Sequence, residues 1–385
     1  MTRKLFYEDS HLIEFQAKVL DCIKDNEGYQ IILDQTAFFP EGGGQTSDTG
    51  KLMDIFVYDV REKDDVIYHF TKEPLTIGEN IVGSIDYSQR FSKMQQHTGE
   101  HILSGLINRY FGYDNVGFHL GNENVTMDFN GELTEEDIRK IEYEANEVVA
   151  KNMKIHVLYP SKEELESMHY RSKIEILGQV RLVEIPGIDC CACCAPHVSY
   201  TGEVGMIKIV DAEKYKGGIR LSILCGFRAL KDYNQKEKIV NQASVLLSAK
   251  QDKIIDYIEN LKNEVSLLKG RIFRLEDIQI ATELKKVEKE SSMALLFDEE
   301  LDTNAMRKYV NAAMEMCSGL CGAFGGNDTD GYRYILGSSG MDVREIAKVL
   351  NSTFQGKGGG KPEMVQGTIY GSRKDIELLL QRELV

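Results

Sequence analysis

Hydrophobic and polar positions alternate in short segments over residues 1–88. Apolar stretches such as 30–33 and 54–58 are separated by turns rich in glycine, aspartate and asparagine. Several short strands at this spacing are typical of a barrel or a sandwich, and we predict an N-terminal β-barrel. A glycine-rich loop at residues 39–45 interrupts the pattern.

Helical and extended patterns mix over residues 89–230. Ser88 or Asp86 can cap a helix over residues 91–111, which Gly112 would end. This order predicts an α+β domain with an antiparallel sheet. Its other predicted elements are a helix at 135–151 and strands at 124–129 and 204–210.

A seven-residue apolar repeat marks residues 231–290 as a long helical segment. β-Branched residues at one repeat position and mostly leucine at the other favour a two-stranded coiled coil. Because the repeat covers only about four heptads, an intrachain helical hairpin explains it equally well. The repeat consists of Leu247, Ile254, Leu261, Leu268 and Leu275, interleaved with Ile258, Val265 and Ile272.

Residues 291–385 alternate between apolar strands and helices, which predicts a small α/β domain. The whole chain is therefore expected to be an α+β multidomain protein. The strands are predicted at 293–297 and 332–336, and the helices at 303–317, 343–352 and 374–383.

Composition narrows the classes of function. The chain has 385 residues, of which 42% are hydrophobic and 28% charged, as in ordinary globular domains. No apolar run is as long as a membrane span, and the charged N-terminus lacks a secretory signal, so we expect a cytoplasmic protein without a membrane partner. The net charge of −15 argues mildly against nucleic acid as a partner unless a local basic surface exists.

Two histidines and a cysteine cluster are the candidate metal ligands. His97 and His101 lie four residues apart, so on a helix they share one face and can reach one ion. Thr98 stands where a thermolysin-like protease needs glutamate, which argues against that class.

Four of the eight cysteines lie within residues 190–194. So dense a cluster in a cytosolic chain indicates metal binding or thiol chemistry and not a disulfide framework, the alternative being buried structural thiols. A cysteine and His197 across a turn with Pro196 could complete a tetrahedral zinc site, but chemistry alone leaves open which thiolate binds.

The order of these motifs resembles the free-standing alanyl-tRNA editing proteins of the AlaX family. His97 and His101 match the family's HxxxH segment, and Cys193 and His197 match its CxxxH segment. Residues 198–205, 216–220 and 225–230 resemble its HVxxTGxIG, KGxxR and GxRAL segments, and residues 36–50 resemble its TxFYPxGGGQxxDxG loop.

The resemblance implies a zinc-dependent hydrolase that deacylates mischarged alanine tRNA, carrying serine or glycine. It implies zinc bound by His97, His101, Cys193 and His197. Four protein ligands fill a tetrahedron, so activation of water would need an exchangeable ligand or an expanded shell. The chain departs from the family at 194–196, where Cys-Ala-Pro replaces Gly-Gly-Thr, and at Phe39, which replaces tyrosine.

Residues 323–326 and 356–362 resemble the DHHA-type domain that ends alanyl-tRNA synthetases. Lys357 and Lys361 are candidate tRNA contacts, because glycine lets backbone N–H groups face an anion. The alternative is a turn with solvated lysines. Gln355 and Pro362 exclude a P-loop. We found no segment that resembles an aminoacylation domain, so the chain is not expected to charge tRNA.

Further candidates surround the expected pocket. Discrimination of serine from alanine needs a partner for the serine hydroxyl, and Thr36, His119 and Gln45 are polar candidates. Glu100 could act as a general base or point to solvent. Gly42, Gly43 and Gly44 are expected to form a mobile loop beside the substrate, or an ordinary turn. Arg220 belongs to a candidate basic surface.

Two alternatives to alanine-tRNA editing stay open at this point. One is a non-catalytic tRNA-binding module with a structural zinc ion, and the other is editing of serine-charged threonine tRNA. A homodimer through the helical segment or the C-terminal domain is a further expectation.

Overall fold

A computed structural model describes residues 1–121, 125–172, 179–288 and 291–384. It divides into two compact units, Met1–Gln242 and Ala243–Val385. None of the described helices is long and apolar enough to cross a membrane. Helices and antiparallel sheets occur in several separate layers, so the predicted α+β multidomain class is confirmed.

Six strands of the first unit close into a hydrogen-bonded ring in the order β2-β3-β7-β6-β5-β8. Over residues 14–19 of β2 every second side chain is buried, and these side chains lie in the interior of the ring. The alternation in the sequence is therefore strand periodicity. The strands are β1 (Arg3–Lys4), β2 (Glu14–Asp25), β3 (Gly28–Leu33), β4 (Gln35–Thr36), β5 (Gly50–Leu52), β6 (Ile55–Lys63), β7 (Val66–Thr71) and β8 (Asn80–Ile85).

Helix α1 (Tyr87–Phe111) follows the ring and is buried along most of its length. The side chain of Asp86 accepts a hydrogen bond from the backbone N–H of Gln89, and Gly112 ends the helix in the left-handed conformation at φ 68°. Both signals were readable in the sequence, and the predicted helix is confirmed.

A four-stranded antiparallel sheet, in the order β14-β15-β10-β9, packs against α1 and α2, and a three-stranded sheet contains β11, β12 and β13. The apolar core of this region lies between α1 and the larger sheet. The elements are β9 (Asn115–Leu120), β10 (Val125–Phe129), α2 (Glu135–Ala150), β11 (His156–Leu158), α3 (Lys162–Ser167), β12 (Leu182–Ile185), β13 (Asp189–Ala192), β14 (Ile207–Tyr215) and β15 (Gly218–Cys225).

Two helices, α4 (Gly226–Leu247) and α5 (Ile254–Leu284), carry the heptad repeat. The helical prediction is confirmed, but the helix is interrupted between α4 and α5, where Ser248 has φ +50°. Leu247 is therefore separated from the other seven repeat residues, which lie on α5. The coiled coil stays a prediction.

The second unit contains a five-stranded sheet in the order β16-β17-β18-β20-β19. Only β16 and β17 are parallel, so the predicted α/β domain has a mixed sheet. The elements are β16 (Met293–Asp298), α6 (Thr303–Met316), β17 (Leu320–Asn327), β18 (Gly331–Gly337), α7 (Val343–Thr353), β19 (Lys357–Lys361), β20 (Met364–Ile369) and α8 (Arg373–Arg382).

The alternative of a turn with solvated lysines is wrong in its first part, because residues 357–361 form the edge strand β19, but both lysines are exposed. Its glycines allow close pairing with β20: a Cβ at Gly360 would lie 2.3 Å from the carbonyl oxygen of Met364. Strand propensity is low for such a run, and the neighbouring strand overrides it.

Candidate metal centre

The four predicted ligands come from one helix and one turn. His97 and His101 lie one turn apart on α1, and Cys193 and His197 follow the end of β13. Arg181 holds the turn, because its Nη1 donates to the backbone oxygens of Cys193 at 2.7 Å and Ala195 at 3.1 Å. The turn therefore presents its thiol and imidazole to α1.

The structure brings these four side chains together. Nε2 of His97 lies 3.5 Å from Sγ of Cys193, and Nε2 of His197 lies 3.4 Å from the same sulfur. The ring centre of His101 is 4.7 Å from that of His197. One ligand atom from each of the four residues lies within 4.8 Å of the others, so a single ion can be reached by all of them.

Each imidazole is oriented by a different partner at its other nitrogen. Nδ1 of His97 lies 3.3 Å from Oε1 of Gln45, and Nδ1 of His197 lies 3.2 Å from Oγ1 of Thr98. Nδ1 of His101 lies 2.9 Å from Oδ2 of Asp189. With Nδ1 engaged in this way, Nε2 is the nitrogen left to bind a metal.

The donor set fits zinc, which accepts imidazole and thiolate in tetrahedral geometry. Burial opposes ionisation of Cys193, but the neighbouring imidazoles of His97 and His197 hold the pKa of its thiol well below the usual range. Burial likewise opposes a charge on His101, but the Glu100 and Asp189 carboxylates raise its pKa well above the ordinary value. These negative groups also favour a bound cation.

The other cysteines of the cluster are poorer ligands. Burial raises the pKa of Cys191 to about 11, which keeps this thiol protonated, and Cys194 is exposed. Cys191 does lie near His101 and Asp189 in a second group of metal-binding residue types. Arg171 already occupies both oxygens of that carboxylate, at 2.7 and 2.9 Å, so this group is an ion pair and not a cation site.

Glu100 is buried and faces the centre, so the alternative that it points to solvent is wrong. Its Oε1 accepts hydrogen bonds from Nδ2 of Asn115 at 2.6 Å and Oγ of Ser104 at 2.9 Å. Its Oε2 lies 3.6 Å from Nε2 of His101. The carboxylate is thus held beside the metal ligands.

The glycine-rich segment forms a tight turn over the centre. Gly42 and Gln45 exchange two backbone hydrogen bonds of 3.0 Å, and the two residues between them have φ of +61° and +80°. Glycine adopts two successive positive φ angles at the lowest steric cost, and such a turn needs them. A Cβ at Gly44 would also lie 2.9 Å from the backbone oxygen of Phe118.

Gln45 is buried at the end of this turn, with its Oε1 on His97. Its Nε2 is also buried and has no hydrogen-bond partner among the described residues. An unpaired buried amide beside a metal site is costly, and a ligand that accepts a hydrogen bond would relieve the cost.

Phe118 was missed by the sequence analysis. Its ring centre lies 4.9 Å from that of His97, and the ring also contacts the glycine turn. The neighbouring His119, a candidate substrate contact, is exposed on β9. Adjacent strand residues point to opposite faces, so Phe118 is the one that faces the centre. Strand periodicity was the signal that could have found it.

The remaining predicted site residues lie in other surroundings. The hydroxyl of Thr36 is buried, 2.8 Å from Nε2 of His69, and accepts a hydrogen bond from the backbone N–H of Phe38. Arg220 forms two hydrogen bonds to Asp128, at 2.6 and 2.8 Å. The structure places the candidate contacts Lys357 and Lys361 in the second unit, where both are exposed.

Two buried cations join α1 to the glycine turn and were also missed. Arg90 pairs with Asp48 and donates to the backbone oxygen of Ala37 at 2.6 Å. Nζ of Lys93 donates to the backbone oxygen of Ser47, and burial lowers its pKa. The helix that carries His97 thus also holds the segment that carries Gln45. The sequence analysis missed Arg90 and Lys93 because charged residues near the start of a helix are usually exposed to solvent.

Three family descriptions match the chain: "tRNA synthetases class II (A)" over residues 3–89, "Threonyl and Alanyl tRNA synthetase second additional domain" over residues 180–222, and "DHHA1 domain" over residues 290–382. The alanyl-tRNA editing protein AlaX-L of Pyrococcus horikoshii is 26% identical to the chain, over 98% of the chain and 96% of that protein. Over nearly its whole length the chain is therefore similar to an alanyl-tRNA editing protein.

Other relatives of the chain are alanine–tRNA ligases. The alanine–tRNA ligase of Ignicoccus hospitalis is 31% identical over 98% of the chain, and that of Pyrococcus abyssi is 30% identical over 98% of the chain. The chain spans only 42% and 43% of these ligases. The match to the second additional domain covers residues 180–222 and therefore includes the two metal-centre residues Cys193 and His197.

Proposed function

We propose that the chain hydrolyses the ester that joins a wrongly attached amino acid to the terminal ribose of alanine tRNA. The convergence of three imidazoles and one thiolate beside the glycine turn is the observation that carries the proposal. The similarity to AlaX-L and the match to the second additional domain support it. Serine is the proposed main substrate, and glycine the second.

We assign zinc as the metal held by His97, His101, Cys193 and His197, because the donors suit it. When bound, zinc supplies a Lewis acid that polarises a carbonyl oxygen or fixes the amino group of the substrate. Glu100 is the proposed general base, because its carboxylate is buried beside His101 and held by two donors. The glycine turn and Phe118 exclude water around the ester.

Gln45 is our preferred partner for the serine hydroxyl. Its buried Nε2 lacks a partner among the described residues and can donate to that oxygen. A site built around such a hydrogen bond rejects an analogue without the hydroxyl by about 10⁴-fold or more. Thr36 is proposed as a further contact, for which its hydroxyl would have to give up its bond to His69. His119 is exposed on the opposite face of β9 and is proposed to contact the tRNA outside the metal centre.

The second unit is proposed to bind the tRNA body. Lys357 is the first and Lys361 the last residue of the exposed edge strand β19, where both can contact phosphate oxygens. Arg220 is a proposed additional contact on the first unit. The match of residues 290–382 to the DHHA1 domain, together with the similarity to alanine–tRNA ligases, favours alanine tRNA over threonine tRNA.

A deacylation assay tests this function directly. We expect rapid hydrolysis of serine-charged alanine tRNA and much slower hydrolysis of the glycine- and alanine-charged forms, because neither amino acid has the hydroxyl that Gln45 would bind. Removal of metal with a chelator should abolish the activity. If serine-charged threonine tRNA were hydrolysed faster than serine-charged alanine tRNA, threonine tRNA would be the substrate instead. Tight binding of alanine tRNA without turnover of any mischarged form would instead indicate a binding module with structural zinc.

We also propose that the chain forms a homodimer through α5. The stripe residues Ile258, Leu261 and Leu268 are between 40% and 47% exposed, which is high for a repeat of apolar side chains. A parallel pair of such helices would bury these stripes.

Sedimentation equilibrium is expected to give a dimer for the wild-type chain and a monomer for a Leu261→Glu, Leu268→Glu variant. Lys262→Glu changes a polar residue on the same helix, and this control should remain dimeric. A monomeric wild-type chain at micromolar concentration would contradict the proposal.

A further inference from the structure

His101 differs from the other two histidines because its partner is charged. Oδ2 of Asp189 accepts from Nδ1 of His101 at 2.9 Å, whereas His97 and His197 meet an amide and a hydroxyl. The Asp189 side chain is only 2% exposed. Its two oxygens also accept from Nε and Nη2 of Arg171, at 2.7 and 2.9 Å.

The Arg171 guanidinium is held in this position by the backbone. The N–H of Arg171 donates to the oxygen of Cys190 at 2.8 Å, and its own oxygen accepts from the N–H of Ala192 at 2.9 Å. These two bonds fix Arg171 against β13, the strand that carries Asp189. The bidentate pair therefore has a rigid base on the same strand that leads to Cys193.

The opposite side is fixed by the close approach of α1 to β13. A Cβ at Gly105 would lie 2.5 Å from the backbone oxygen of Ile188 and 2.8 Å from Cβ of Asp189. Glycine at this position lets the helix that carries His101 lie directly on the strand that carries Asp189. The distance from the carboxylate to the imidazole is thus set by backbone packing and not by a flexible side chain.

We propose that Asp189, held by Arg171, is a positioning residue that orients His101 and sets the metal affinity of the centre. The carboxylate fixes the tautomer with hydrogen on Nδ1, and it makes Nε2 a stronger electron donor. Arg171 prevents the carboxylate from turning towards the ion and becoming a ligand itself. This inference rests on the metal site of the proposed function but not on its substrate.

The test is metal affinity, measured by competition with a chromophoric chelator on the full chain with Zn²⁺. Asp189→Asn keeps the shape of the side chain but removes the charge that holds both partners. We expect it to weaken Zn²⁺ binding by about 10- to 100-fold, the range found for outer partners of metal-bound histidines. Arg171→Lys keeps the positive charge but loses the two parallel bonds, and we expect a smaller weakening in the same direction.

Co²⁺ absorption supplies a readout that a purely structural role would not change. Folded Asp189→Asn protein is expected to bind Co²⁺ with shifted visible bands, because one imidazole is no longer fixed. Asp128→Asn is the matched control, since Asp128 forms an equally bidentate pair with Arg220 in the same unit. Its Zn²⁺ affinity and Co²⁺ spectrum should equal those of the wild-type chain.

Two outcomes would overturn the proposal. One is Zn²⁺ affinity within twofold of wild type, with an unchanged Co²⁺ spectrum, in both Asp189→Asn and Arg171→Lys. The other is a wild-type chain that binds two ions and loses one of them in Asp189→Asn, which would make Asp189 a ligand. If Asp189→Asn does not fold, Arg171→Lys decides alone. A wild-type chain that binds Zn²⁺ tightly but deacylates nothing would sink the proposed function and leave this inference standing.

Discussion

Replacement of Cys193 with alanine is expected to lower the deacylation rate of serine-charged alanine tRNA by more than about 100-fold. Outer partners of a metal-bound histidine alone account for about 10- to 100-fold in affinity or activity, and Cys193 contributes the thiolate itself. Its sulfur lies 3.5 Å from Nε2 of His97 and 3.4 Å from Nε2 of His197. Single-turnover deacylation and the zinc content of the purified protein are the measurements.

The cysteine cluster offers a matched control for this change. Cys190→Ala removes a thiol three residues away that is half-buried on β13. We expect this variant to keep both its zinc and its deacylation rate. His97→Ala should behave like Cys193→Ala. Full activity in Cys193→Ala or His97→Ala would refute the assignment of the reaction to this centre.

Of the substitutions considered, the one that breaks the buried ion pair between Arg90 and Asp48 is expected to lower the free energy of unfolding most. The side chains are 0% and 1% exposed, and Arg90 also donates to the backbone oxygens of Ala37 and Ser10. Arg90→Met leaves the Asp48 carboxylate buried without its counter-charge. Loss of one partner of such a pair costs about 3–5 kcal/mol.

Denaturant unfolding of the full chain, followed by circular dichroism, measures this effect. Arg139→Met is the control, because Arg139 pairs with Glu135 on the surface of α2, where both side chains are well exposed. A surface pair of this kind contributes about 0.5 kcal/mol or less. Equal stability of the Arg90 and Arg139 variants would contradict the role of the buried pair.

Arg90 and Lys93 link the stability of the fold to the geometry of the metal centre. Both residues lie in the first two turns of the helix that carries His97. They bind Asp48 and the backbone oxygen of Ser47, in the segment that follows Gln45. A displaced helix start would therefore move Gln45 away from His97. We expect Arg90→Met protein that remains folded to lose activity as well.

The helices and the ligands of the metal centre were predictable to different degrees. The capping residue Asp86 and the ending residue Gly112 predicted α1, because both act through local backbone hydrogen bonds. The spacing of His97 and His101 predicted a shared face for the same local reason. Which thiolate joins them was open from chemistry alone, since four cysteines lie within five positions. Only the resemblance pointed to Cys193.

Other parts of the centre depend on contacts between residues far apart in sequence. Phe118 reaches His97 because β9 lies beside α1, and Asp189 reaches His101 because Gly105 lets the helix lie on β13. The run at 357–361 becomes a strand because β20 supplies its hydrogen-bond partners. Neither local propensity nor hydrophobic periodicity contains this information.

The sequence by itself determined the helices and most strands, the pattern of buried faces and the identity of the residues that can bind zinc. These follow from interactions within a few residues along the chain. The tertiary structure decided which thiol joins the imidazoles, which partner orients each of them, and that Glu100 faces inward. The first two outcomes arise from packing across sequence separations of 50 to 100 residues, as between Gln45 and His97 or Thr98 and His197.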